Sequence, residues 1–186
     1  AGTSMVNSEL FELFASGRDL LQNGDCSSVR PVVNQVVRLM TVPLVQGALR
    51  YAYKNSGSAQ GASAKNAAEG ATFAAAVLPL VHACNTASAD TVSANLKFGA
   101  ATFSPSTGKY VSGKLPDFTA VKTAFEDVYA CLGITCAMVG QLVDGIDTEY
   151  ASIGICPFQS PMLAGYVPGS DVTEHAKIDL DQKAME

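Results

Sequence analysis

The sequence predicts a mainly α protein: a compact multi-helix domain with long Gly/Pro/Ser-rich loops and an irregular, charged C-terminal tail. Three observations carry this. Apolar residues recur at helical spacing, as in Val32, Val33, Val36, Val37, Met40, Leu44, Val45 and Leu49. Capping residues stand where such runs begin, and glycine or proline where they end. No series of alternating apolar and polar residues marks out a sheet.

The elements follow in order. Ser8 can cap a helix over Glu9 to Asn23, with Leu10, Phe11, Phe14, Leu20 and Leu21 on its inner face and Gly24 as the stop. Ser27 or Ser28 caps the next helix, with Pro31 in its first turn, and the apolar spacing continues to Tyr53. Pro43 should kink or split that helix near Met40 to Thr41. Asn55 to Gly61 reads as a loop of small polar residues, and from Ser63 the chain is helical again through Cys84, with Pro79 as a second kink. Ser88 can cap a short helix to Leu96. Phe98 to Pro116 is a long Gly/Ser/Thr/Pro-rich loop with room for a small hairpin. Asp117 caps a helix over Phe118 to Cys131, and Thr135 caps another through Val143. Residues 1–144 therefore read as the helical domain and 145–186 as an irregular tail or docking arm, in which Asp171 to Glu186 has little to bury.

Composition narrows the function. With 48% hydrophobic and 16% charged residues in a chain of 186, this is a folding sequence, not a disordered one. A net charge of -5, with the basic residues scattered singly, argues against a nucleic-acid partner. The longest apolar run, Ala71 to Ala83, is broken by Pro79 and His82, so no transmembrane segment is expected. The start, AGTSMVNSEL, has neither the basic nor the apolar stretch of a signal peptide. No Walker loop, GxGxxG, GxSxG or HExxH occurs, and two histidines are a poor basis for a nucleophile–His catalyst; no enzymatic activity is expected. Neither histidine invites a role: His82 follows Pro79 in an apolar run, and His175 lies in the tail.

Five cysteines cannot all pair internally. A short bridge between Cys131 and Cys136, across Leu-Gly-Ile-Thr, and a pair between Cys26 and Cys84 would leave Cys156 over. The alternative is five buried thiols. The first arrangement places the chain in an oxidising compartment: secreted, periplasmic or at the cell surface.

One group of polar residues could carry binding chemistry. Arg50 and Tyr53 are three apart and share a helix face, Tyr51 points about 100° away, and an antiparallel helix would bring Glu69 near Gly47 to Arg50. Phenolate and carboxylate oxygens suit a hard ion such as ferric iron, and a guanidinium binds carbonate with two prongs. Tyr51, Tyr53 and Glu69 would then be metal ligands and Arg50 the anion-binding residue. The alternative is a structural Arg50–Glu69 pair with packed tyrosines. Asp144, Asp147 and Glu149 lack the spacing of a calcium loop.

Three stretches carry a resemblance: VPLVQGALRYAYK (Val42 to Lys54), AAEGATFAAAVLPLVHAC (Ala67 to Cys84) and FTAVKTAFEDVYACLGITCAMVG (Phe118 to Gly140). With their order and gaps, they make Phe11 to Val143 resemble the C-terminal half of the low-iron-inducible periplasmic proteins of algae and diatoms. That iron-assimilating family includes the phytotransferrins. The resemblance implies a helical, secreted or cell-surface protein and, for the phytotransferrins, ferric iron held with carbonate and taken up by endocytosis. The expected function is non-enzymatic binding of Fe(III) with carbonate. The rival is a structural or interaction subunit of a larger assembly, docking through the long loop and the charged tail.

Overall fold

The computed structural model describes residues 4–56, 62–97, 101–104, 109–113 and 115–140. Its spine is a helical pair. The chain runs α1 (Met5–Gln22), α2 (Cys26–Asn55), α3 (Ala64–Cys84), α4 (Thr86–Leu96), β1 (Ala101–Ser104), β2 (Lys109–Gly113), α5 (Phe118–Glu126), α6 (Tyr129–Leu132) and α7 (Cys136–Val139). The mainly α expectation holds. The room for a hairpin in the long loop is used: β1 and β2 pair antiparallel, with a register shift between Thr102 and Phe103.

Several boundaries follow the capping chemistry read from the sequence. The Ser63 hydroxyl accepts from Asn66 N, the Asp117 carboxylate from Ala120 N and the Thr135 hydroxyl from Met138 N. Others are corrected. Ser4, not Ser8, caps α1, so that helix starts a turn earlier. Asp25 caps α2, accepting from Ser28 N, and Asn85 rather than Ser88 caps α4. The helix expected over Phe118 to Cys131 is two pieces, α5 and α6. The one expected through Val143 stops at Gly140, whose φ of 74° lies outside the helical region. Pro43 does not split α2, which runs through it as one helix; next to it, the Thr41 hydroxyl donates to the Val37 carbonyl at 2.8 Å.

The inner half of α2 builds the core. Val42, Val45, Leu49 and Ala52 recur at helical spacing and are each fully buried, together with Ala48. They meet Ala74, Val77 and Val81 of α3, Val92 of α4 and Val121 and Phe125 of α5. Arg38 and Gln46 of α2 reach across to the short helices, donating to the Gly133 carbonyl at 3.4 Å and the Val139 carbonyl at 2.9 Å. Gly133 ends α6 at φ 70°, and a side chain there would strike the Arg38 guanidinium. The positive φ favours glycine here, whereas the exposed Arg38 side chain could swing aside.

Cys84, the last residue of α3, is bridged to Cys131 in α6, 47 residues away. Cys136 is disulfide-bonded as well, and Cys26 is a free, exposed thiol. The expected Cys131–Cys136 and Cys26–Cys84 pairings are both wrong. Cys26 opens α2 at the exposed α1–α2 turn, whereas the end of α3 lies against α6. Cys156 and the whole 145–186 segment lie outside the described residues.

Candidate functional site

Two surfaces deserve a close description: the α2–α3 seam, where the sequence placed a metal, and the outer face of the α1–α2 hairpin.

The seam is a reciprocal fit of two aromatics into two glycines. Tyr51 of α2 lies over Gly70 of α3, so that a Cβ built on Gly70 would stand 2.8 Å from the Tyr51 Cβ. Phe73 of α3 covers Gly47 of α2, where a Cβ would run into its ring. The two rings then stack on each other, with centroids 5.8 Å apart and planes 17° from parallel. Tyr53 goes elsewhere. It is buried and packs edge-on against Phe118 of α5 at 5.3 Å.

The structure therefore brings Tyr51 together with the α3 turn that carries Glu69, and directs Tyr53 to a different neighbour. Arg50 and Glu69 are both half-buried. Ion pairs between described residues include Arg18–Asp19 and Lys122–Glu126. No group of three or more His, Cys, Asp or Glu side chains stands close enough to hold a metal ion among the described residues.

Glu126 is half-buried. Lys122 Nζ lies 2.8 Å from its Oε1 and 3.0 Å from Oε2, which compensates its charge. Beside it the Tyr129 hydroxyl is buried with no hydrogen-bond partner among the described residues. Burial first, and the Glu126 carboxylate second, push that phenol above its ordinary range.

The α1–α2 hairpin shows a different pattern. From residue 4 to residue 40 only Val6, Gly17 and Leu39 are buried. Yet this stretch holds six of the eight exposed large apolar residues among those described: Phe11 (76% exposed), Phe14, Leu21, Val33, Val37 and Met40. The expected inner face of α1 is thus partly outward, with Phe11, Phe14 and Leu21 open. Helical geometry places these residues together. Gly17 faces Val32, whose Cγ1 would lie 3.5 Å from a Cβ there. Turning the same way from that contact, α1 presents Phe14 and Phe11 while α2 presents Val33 and Met40. Between them runs an apolar groove of about 500 Å³, floored by Gly17 and Val32 and walled by Phe14, Leu21, Val29 and Val33.

By length and mean hydropathy (1.3 and 1.4) α2 and α3 could each cross a bilayer, although Pro43 and Pro79 interrupt their apolar runs. A core helix passes the same test, and here the two helices pack on each other.

Comparison with protein-family models, with curated proteins and with solved structures finds no match for this chain.

Proposed function

We propose that this chain is a non-enzymatic interaction protein whose α1–α2 hairpin docks on another protein surface. The observation that carries the reading is the concentration of exposed aromatic and aliphatic side chains along one groove at one end of the fold. Contiguous apolar patches of this kind mark interaction sites, whereas scattered exposed residues do not. This moves docking from the long loop and the charged tail, where the sequence placed it, to a surface the sequence had read as core. A photoreactive phenylalanine at Phe14 should cross-link to polypeptide, and one at the exposed Ala76 of α3 should not. Equal labelling from both positions would refute the assignment. The bridges of Cys84 and Cys136 support an oxidising compartment for this activity.

A second reading keeps the metal. Ferric iron with carbonate would be held at the seam by Tyr51 and Glu69, with Arg50 on the anion. It is favoured by the packing of Tyr51 on the turn that carries Glu69. Tyr53, buried against Phe118, is its weakest member. Titration with Fe(III) and bicarbonate should then give a tyrosinate-to-iron absorption band that Tyr51→Phe abolishes. No band, or one that survives that change, removes this reading.

A further inference from the structure

The docking reading above is the basis of this inference, which names the occupant. We propose that the α1–α2 face pairs with the same face of a second copy of this chain, forming a two-fold four-helix bundle in which α1 of each copy lies on α2 of the other.

Extent is the first argument. The six exposed side chains leave roughly 600 Å² open, at ~100–150 Å² for the aromatics and less for the aliphatics. That is the upper end of what a monomer leaves uncovered, about 300–600 Å². With the groove walls added, the face approaches the ~800 Å² that each partner contributes to a stable interface. The hairpin is also the right unit: α1 packs at length only on α2, and joined by the short turn Asn23–Gly24–Asp25 the two present, as far as Met40, the face of half a bundle.

Charge selects the pairing. Helix α1 carries Glu9, Glu12 and Asp19 against Arg18 alone, while α2 as far as Met40 carries Arg30 and Arg38 and no carboxylate. A two-fold axis parallel to the helices sets α1 on α2 of the other copy, so the acidic helix lies beside the basic one and every helix is antiparallel to its neighbours. The axis perpendicular to the helices sets acidic α1 on acidic α1. The Gly17–Val32 contact fixes the register within the hairpin, which puts Asp19 level with Arg30. A parallel axis preserves levels, so Asp19 of one copy stands level with Arg30 of the other at the rim. Arg18, which also lines the groove, is neutralised by Asp19 at 2.9 Å, and its stem can lie along the apolar surface.

Sedimentation equilibrium on the full chain, from low to several hundred micromolar, tests this. The expected result is a reversible dimer. Phe14→Glu and Val33→Glu should each weaken it about 30-fold or more, as central interface residues do. Both side chains are exposed, so the circular dichroism should not change. Arg30→Glu should weaken the dimer by up to about fivefold, a rim effect. A monomer at every concentration overturns the proposal, as does a dimer indifferent to Phe14→Glu and Val33→Glu. A dimer tightened by Arg30→Glu overturns the pairing of α1 with α2. The docking reading fails separately. A monomer that still cross-links to a different polypeptide from Phe14 keeps docking and loses the second copy. A monomer whose Phe14 engages only phospholipid vesicles loses both.

Discussion

Gly17 and Gly70 are both buried, both inside helices, and differ in what lies opposite, so replacing each by alanine separates packing from helix propensity. Alanine in place of a helix-interior glycine gains ~1 kcal/mol from propensity alone. At Gly17 nothing opposes the gain: the new Cβ would sit 3.5 Å from Val32 Cγ1, an ordinary contact. Gly17→Ala should stabilise the fold by about 0.5–1 kcal/mol. At Gly70 the Cβ would stand 2.8 Å from the Tyr51 Cβ, a carbon fixed to the backbone that cannot rotate away. Helices α2 and α3 must separate, at ~1–3 kcal/mol for overpacking. The Tyr51–Phe73 stack, worth a further ~0.5–1.5 kcal/mol, is then disturbed. These losses exceed the propensity gain, leaving Gly70→Ala about 1–2 kcal/mol less stable. At ~2–4 °C per kcal/mol, melting followed at 222 nm should rise by roughly 2–3 °C for Gly17→Ala and fall by roughly 3–6 °C for Gly70→Ala. Equal shifts of the same sign would show that the seam is not packed as described.

Two further perturbations have definite expectations. The Cys84–Cys131 bridge closes a 47-residue loop, so Cys84→Ser with Cys131→Ser should cost about 4 kcal/mol in urea unfolding, and the unreduced, denatured wild type should titrate one thiol, that of Cys26. Tyr129→Phe removes a buried hydroxyl without a partner among the described residues and should raise stability by up to about 1 kcal/mol at pH 7. The same phenol is raised above its unfolded value of ~10, so its contribution is intact below that pH and is lost as pH rises towards the folded value. Urea midpoints at pH 7 and pH 11 should therefore fall less in Tyr129→Phe than in the wild type.

Local chemistry was legible in the sequence; pairing across the fold was not. Ser63, Asp117 and Thr135 announced the starts of their helices because each oxygen meets an amide three residues on. Gly24, at positive φ, announced the stop before a new cap. Ser8 misled because Ser4, one turn earlier, offers the same hydroxyl. Periodicity identified the apolar stripe of α1 but not what covers it, so Phe11 and Phe14 were assigned to a core that does not reach them. Cysteine counting gave parity without connectivity. The tyrosines were read for their oxygens, whereas the overlooked signal was the glycine opposite: Gly70 and Gly47 are the spaces that Tyr51 and Phe73 fill.

The docking of the α1–α2 face on a second copy is most directly tested by fluorine NMR of chain labelled at phenylalanine, with resonances assigned by substitution. As concentration rises, the Phe11 and Phe14 signals should shift and broaden, because both rings are open in the single chain, while that of Phe125, fully buried, should stay fixed. Phe11 and Phe14 signals that remain unchanged to millimolar concentration would contradict the account.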